Sequence, residues 1–586
     1  MTTTITEPNC VPRFSATSDV DEFVEVLAQF ERGELSPEAW RKFRLVRGTY
    51  GQRQEGVQMQ RVKIPLGYLV ADQARALAGM ADQYAHGRAH LTTRQNFQFH
   101  FVQLSDVPAL MRDLDVAGIT AREACGNAVR NVTMSELSGV DPDQVFDVRP
   151  HGETLVRFFL RHPKAADLPR KFKMALSCTP RDCAQAAIHD VGLIARIEDG
   201  QRGFKVVVGG GLSTSPQDAA VLYEFLPEAQ ILEVAEAVLM VFDARGNRTN
   251  KHRARLKYVL RDLGLEGLRT FIDEERAKIR ARGDAPPVFV ATPEPPPPPV
   301  DRVTEAPADA PAGYIAWRGS NVREQLQKGY HAVYVRLPLG DLTGAQLRAV
   351  ADLADRFADG SVWTTADQNL LLRYVPTGDL RALHAALVAA GVAADGATTL
   401  RDVTSCPGAD SCNLAVTTSR GLGRAISDAL EQAMAAGGAL GASVELARDA
   451  SIKISGCPHS CGRHHIADLG FHGAARKIGG RAMPVYQLHL GGHVDENGAT
   501  FGAQVIKIPS KRVPAAVLRL VELFGAERTA DESFASFLRR LPADRVKTEL
   551  AAHADIDPSV AQEDEYVDFD AQNGFVVETK AGECAA

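Results

Sequence analysis

"RVKIPLGYLVADQARALAGMADQYAHGRAHLTTRQNFQFHFV", Arg61–Val102, is answered at a constant offset of 273 residues by "YVRLPLGDLTGAQLRAVADLADRFADGSVWTTADQNLLLRYV", Tyr334–Val375. Both stretches read as strand, helix, strand. The run "NFQFHF" alternates, so Phe97, Phe99 and Phe101 are expected on the core side of a strand, with Asn96, Gln98 and His100 on a face free for a ligand. In "ADQARALAGMADQY" Ala, Leu and Met recur every three to four residues, the pattern of an amphipathic helix packed on a sheet. The expected fold class is α+β, internally duplicated.

The correspondence continues outward. "VRNVTMS" from Val129 answers "LRDVTSC" from Leu400, and "AAIHDVGLIA" from Ala186 answers "HHIADLGFHG" from His464. Between the copies, residues 284–313 are so rich in proline that an extended, semi-rigid linker is expected. The expected order is an N-terminal extension (1–48), a first half-domain (49–120), a first larger α+β domain (121–283), the linker, a second half-domain (314–395), a second larger domain (396–545) and an acidic tail (546–586). That tail is read as a flexible extension, with Cys584 as a candidate thiol.

Bulk properties exclude several classes. A chain of 586 residues exceeds one core, and a net charge of -7 offers no general attraction to nucleic acid. The apolar run Ala219–Phe242 is broken by Glu and Pro, and "MTTTITEPNC" carries neither a basic leader nor an apolar block, so no membrane segment and a cytoplasmic location are expected. Nine cysteines, an odd number in a long chain, argue against a disulfide scaffold.

Four of those cysteines fall in two clusters, "TSCPGADSC" with Cys406 and Cys412, and "SGCPHSCG" with Cys457 and Cys461. Four soft thiolates in Pro- and Gly-bearing loops suit an iron–sulfur cluster or zinc. The spacing of Cys406 and Cys412 exceeds the two to four residues usual for zinc, which favours the cluster. In the first copy Ser135 stands where Cys406 would be, and Cys178 and Cys183 are one residue too far apart to match Cys457 and Cys461. These two and Cys125 are read as small core residues. "VVVGGGLST", Val206–Thr214, lacks the third glycine of a dinucleotide fingerprint.

With its repeat and paired cysteine motifs, the chain resembles the sirohaem-dependent nitrite and sulfite reductases from Thr49 to Leu541, and is closest to the assimilatory ferredoxin-type sulfite reductases. The resemblance implies two ferredoxin-like half-domains plus two sirohaem/iron–sulfur domains, holding sirohaem and a 4Fe-4S cluster. Cys406, Cys412, Cys457 and Cys461 would bind the cluster, with Cys461 bridging to the sirohaem. Arg61, Arg130, Lys171 and Lys173 would hold the anion. His90, Thr92, Thr93, Arg94, Asn96, Gln98, Gly210, Gly211, Arg248, Lys251 and Arg255 would hold the macrocycle, although the family commonly has arginine at the His90 position.

Spacing adds to this. Alternation places Arg61 with Lys63, and Lys171 with Lys173, on shared faces, and three- and four-residue steps place Arg248, Lys251 and Arg255 on one face of a helix. Tyr334 replaces Arg61 in the second copy, so the first half supplies the basic face and the second the thiolates. The expected reaction is multi-electron reduction of sulfite to sulfide, with ferredoxin or a flavoprotein as donor. Nitrite is the alternative substrate, disfavoured because plant-type nitrite reductases have asparagine at the Lys173 position. A non-catalytic iron–sulfur or zinc protein would explain the cysteines but not the bases.

Overall fold

In the computed structural model, which describes residues 13–283, 311–580 and 583, the two copies exchange strands. The proline-rich run as far as residue 310 and Cys584 lie outside the described residues. Strands Thr49–Gly51, Val57–Val62, Phe97–Gln103 and Arg88–Leu91 form one sheet, completed at its edge by Asp341–Thr343 of the second copy. Its twin joins Val322–Glu324, Tyr330–Val335, Leu370–Pro376 and Ser361–Thr364, and is completed by Tyr68–Val70 of the first copy. Each copy thus covers an edge that would otherwise present unpaired backbone groups. Helices Ala71–Tyr84 and Gly344–Phe357 pack together, and one core containing Leu77, Phe97, Phe99, Val333, Leu347 and Leu370 runs through both copies. The half-domains, separate in sequence, share one hydrophobic core.

The backbone repeats as faithfully as the sequence. Left-handed conformations recur at the same offset: Leu66 and Leu339 (φ 60° and 59°), Gln95 and Gln368 (56° and 69°), Phe101 and Tyr374 (63° and 58°). The last pair corrects the expected alternation. The register between Gln58 and Gln60 slips against the facing strand, a β-bulge that turns Phe101 outward to 37% exposure while Phe97 and Phe99 stay fully buried. The two glutamines make reciprocal cross-links between copies. Gln95 Nε2 donates to the carbonyls of Met134 (2.9 Å) and Thr364 (3.0 Å), and Gln368 Nε2 donates to that of Leu91 (2.8 Å) while its Oε1 accepts from the Ser405 amide (2.9 Å).

The larger domains are also twins. Thr133–Met134, Met174–Ser177 and Val191–Glu198 run parallel and are followed by antiparallel Gln201–Val208 and Ala220–Pro227. Thr404–Ser405, Ile452–Ser455, Leu469–Ile478, Arg481–Leu490 and Ala503–Pro509 repeat that order. Parallel neighbours need crossovers, supplied by helix Arg149–Phe159 in one and by Ser419–Ala436 and Gly438–Leu446 in the other. A buried aspartate pins the start of the second strand in each: Asp190 accepts from the Lys173 amide and Asp468 from the Ser451 amide, both at 2.9 Å.

The N-terminal extension forms helices Thr17–Glu31 and Pro37–Val46, whose Val20, Phe23, Leu27 and Trp40 join the half-domain core. The tail is held rather than free. The Thr418 amide donates to Asp568 (2.8 Å), the Lys580 amide to the Asn413 carbonyl (3.0 Å) and the Gly51 amide to Glu583 (2.8 Å), and Glu583 also pairs with Arg44. Among the described residues no helix is long and apolar enough to cross a membrane.

Candidate functional site

All four clustered cysteines leave the carboxyl ends of two adjacent parallel strands. Cys406 follows Thr404–Ser405, Cys412 lies beyond the 3-10 turn Gly408–Asp410, and Cys457 and Cys461 follow Ile452–Ser455. Strand ends of this kind are where open sheets place ligands. Close packing of glycines lets the loops converge: a Cβ on Gly456 would meet the Thr417 carbonyl at 2.6 Å, and one on Gly462 the Ile454 carbonyl at 1.9 Å. Burial, and then the charges of Cys461, Cys406 and Cys412, push the Cys457 thiol up, so the other three sulfurs all act on Cys457. Yet among the described residues the only three candidate ligands within 4.8 Å of one another are histidines, not these thiols. Around a single zinc ion, with Zn–S of about 2.3 Å, the sulfurs would sit roughly 4 Å apart, so the wider thiol set suits a cluster.

The first half meets these loops directly. Thr93 Oγ1 donates to the Cys461 carbonyl at 2.9 Å, and Arg463 reaches back to the Thr93 carbonyl and to Gln185. Arg53 Nη2 donates to the Ala415 carbonyl at 2.7 Å, next to the Cys412 loop. His459, between Cys457 and Cys461, is held below the usual histidine range by burial and then by Lys171 and Arg170. The basic loop before strand Met174–Ser177 therefore faces the thiol loop.

That basic face is built on Phe172, fully buried in the core, with Lys171 and Lys173 on either side of it in the chain. Arg255 binds Asp190 through Nη2 at 2.8 Å and Nε at 3.2 Å, on the carboxylate that also anchors the Lys173 amide. Arg94 donates to His189 Nε2 at 2.8 Å and to the Asn131 carbonyl. Burial, followed by Arg94, Lys171 and Arg255, holds Lys173 well below the usual lysine range, and Asp190 offsets this only in part. Arg130 is buried on the Gly126 and Ala124 carbonyls, and its charge is felt by Arg94. Arg61 acts on His90 and His100.

Other expected ligands have structural duties. His90 Nδ1 is 2.8 Å from Asp341, which also binds Arg420, so an arginine does stand beside the histidine. Thr92 Oγ1 accepts from the amides of Arg94 and Asn96 (3.2 Å each), Asn96 accepts from the Ile64 amide (3.1 Å), and Gln98 donates to Met59 sulfur (3.2 Å). Gly210 is required by its own chain, since a Cβ would lie 2.3 Å from the Ala187 carbonyl, whereas a Cβ on Gly211 would crowd only the Arg255 guanidinium at 3.0 Å.

The helical face for Arg248, Lys251 and Arg255 does not form. The Asn247 and Asn250 side chains cap local turns, Lys251 lies in the 3-10 turn Lys251–Arg253, and the helix starts only at Leu256. Arg248 turns away to Asp243 and the Asp167 carbonyl. Asn131, His189, Arg420 and Arg463 were not singled out by sequence. The repeated "HDVG/ADLG" could have pointed to Asp190, the anchor of Lys173 and Arg255.

Buried nitrogens on these loops lack a protein partner: Arg53 Nε, Arg94 Nε and His459 Nδ1. With the thiol set, they fit a cluster beside a carboxylate-bearing macrocycle. Thiols opposed by a basic wall define an oxidoreductase for a small oxyanion. The description "Nitrite and sulphite reductase 4Fe-4S domain" matches residues 125–280 and 396–556, and "Nitrite/Sulfite reductase ferredoxin-like half domain" matches 50–117 and 323–390. The chain belongs to the nitrite and sulfite reductase family. It is 32% identical to a sulfite reductase [ferredoxin] of Mycobacterium tuberculosis, over 83% of each chain, and 29% identical to a ferredoxin–nitrite reductase of Synechococcus elongatus, over 80% of this chain and 86% of that one. The solved structure of the M. tuberculosis NirA protein superposes with a TM-score of 0.75 at 29% identity, covering 90% of this chain and 97% of that one.

The first copy holds a remnant at the position of the thiol set. Cys178 is buried as expected, but Cys183 is exposed, and their sulfurs are 3.7 Å apart. Their mutual hydrogen bond holds Cys183 low and Cys178 high, with Ser135 and Thr179 adding to the first effect. Cys183 is expected to react with iodoacetamide at pH 7 at least about tenfold faster than an ordinary cysteine, and Cys178 not at all. Peptide mapping after a timed pulse checks this.

Proposed function

We propose that this chain is a ferredoxin-dependent sulfite reductase, carrying sirohaem and a 4Fe-4S cluster and reducing sulfite to sulfide. The observation that carries the reading is the exposure of one thiol of four. Cys457 is buried and Cys406 and Cys412 are half-buried, whereas Cys461 is exposed, in the loop whose carbonyl takes the Thr93 bond and whose His459 feels Lys171. Cys461 is therefore the residue assigned to both cofactors, and Cys406, Cys412 and Cys457 complete the cluster set.

When bound, the paired cofactors supply electrons to sulfur one at a time. The chain supplies the rest. Arg61, Arg130, Lys171 and Lys173 are assigned to the anion, whose oxygens they would orient and whose charge they would balance. Lys173, whose hold on its proton is weakened by burial and then by Arg94, Lys171 and Arg255, is assigned to pass a proton to an oxygen leaving as water. Arg94 and Arg255, fixed by His189 and Asp190, are assigned to macrocycle carboxylates. The seven described cysteines are all free, in keeping with a reducing cytoplasm. The mycobacterial relative's name supports ferredoxin as donor.

Steady-state kinetics on sulfite and nitrite with a reduced dye test the assignment. A higher kcat/KM for sulfite is expected, and a preference for nitrite would overturn it in favour of the second activity found among the relatives.

A further inference from the structure

Three residues beyond Cys461 begins a cluster of histidines that the proposed reaction does not use. His464 opens the 3-10 turn His464–Ile466, and His472 and His489 lie on neighbouring strands of the sheet beneath it. Ring centroids are 5.1 Å (His464–His472), 4.7 Å (His464–His489) and 4.9 Å (His472–His489) apart. One nitrogen from each lies within 4.8 Å of the other two, and all three residues are buried, with His464 at 0% exposure. Glycine at 470 permits this, because a Cβ there would lie 1.9 Å from the His464 carbonyl.

The internal repeat supplies a control. By strand register, His464, His472 and His489 correspond to Ala186, Ile194 and Val207 of the first copy. There the same positions form a small apolar core with Ala175 and Ala184. The fold thus fills this space with aliphatic side chains when only packing is required. Putting three imidazoles there carries a desolvation cost, and His464 recovers none of it, since neither ring nitrogen has a partner.

We propose that His464, His472 and His489 form a structural binding site for a divalent transition metal, zinc by preference, distinct from the cysteine centre. Three neutral imidazoles are a common ligand set for such ions, leaving a fourth position for water or His465, whose ring lies 4.2 Å from that of His464. The surroundings are arranged as around a bound metal. His489 Nδ1 is 3.4 Å from the Gly502 carbonyl, to which it can donate, and its Nε2 faces His472 Nδ1 at 2.7 Å. An ion would replace that single hydrogen bond, spreading the two nitrogens to about 3.3 Å, and would engage the idle His464. Burial keeps His472 (down to about 4) and His489 (about 3) in the neutral form a ligand needs. His465 Nε2 is 2.9 Å from the Ser213 carbonyl, so the metal would brace the segment after Cys461 against the first half.

The test uses purified holoenzyme, stripped with a chelator under conditions that keep its visible absorption, then dialysed against zinc and freed of excess. Zinc per chain is measured by mass spectrometry. The comparison protein carries the first copy's residues, His464→Ala, His472→Ile and His489→Val. The wild type is expected to retain one more zinc per chain than the variant, and to gain melting temperature on zinc addition where the variant does not. Equal zinc in the two proteins, with equal absorption, would overturn the site. Should the triple variant fail to assemble its cofactors, His489→Gln decides by the same measurement, with retained zinc refuting the proposal and lost zinc supporting it.

Discussion

Cys461→Ser is expected to leave the fold intact and abolish turnover of sulfite, by roughly a thousandfold or more, because the proposed assignment makes this one thiolate serve both redox centres. The loop does not depend on the sulfur for its shape. Ser460 and Arg463 adopt left-handed conformations (φ 57° and 65°), the Arg463 amide donates to the Ser460 carbonyl (3.1 Å), and the Gly462 amide donates to Ser455 Oγ (3.0 Å). The contact from Thr93 goes to the Cys461 carbonyl, which serine keeps. A serine hydroxyl is a poor substitute for a soft thiolate, so the variant is expected to purify with little or no cluster and with an altered sirohaem spectrum. Absorption and electron paramagnetic resonance read this directly, with Cys178→Ser as the control, since Cys178 lies in the core of the first copy. Normal spectra for both centres in Cys461→Ser would refute the shared-ligand assignment.

What could be read from the sequence follows from what leaves a periodic or repeated mark. The duplication, the helix Ala71–Tyr84 and the buried faces of Phe97 and Phe99 are local patterns, and the structure keeps them. The exchange of Tyr68–Val70 and Asp341–Thr343 between sheets leaves no such mark, because pairing between distant segments constrains neither segment's own alternation. Phe101 was misplaced for a related reason: a bulge adds one residue and reverses the faces beyond it, and here its backbone is left-handed without a glycine to announce it. Helical spacing misplaces Arg248 and Lys251, because asparagine side chains in "GNRTN" take the turn amides that a helix would use. Arg463 and His189 went unnoticed because their roles depend on two loops far apart in the chain meeting at the seam.

Lys173→Met is expected to lower kcat/KM for sulfite by about 10²–10³-fold, the usual cost of removing one preorganised group that stabilises developing charge. Its backbone position should survive, because Asp190 holds the main-chain amide and not the ammonium group. The pH dependence separates a catalytic from a packing role. With its pKa lowered by burial and then by Arg94, Lys171 and Arg255, Lys173 gives up its proton at lower pH than an ordinary lysine, and its charge toward the anion is lost as pH rises through that lowered value. The advantage of wild type over Lys173→Met should therefore be largest at low pH and shrink as pH rises, while the titration of sulfite itself is common to both proteins and cancels in the ratio. Lys173→Asn, which installs the residue of plant-type nitrite reductases, should move the sulfite-to-nitrite ratio of kcat/KM toward nitrite. A ratio of wild type to Lys173→Met that stays flat with pH, together with an unchanged anion preference in Lys173→Asn, would remove Lys173 from the anion site and leave it a packing member of the wall that Asp190 and Arg255 support.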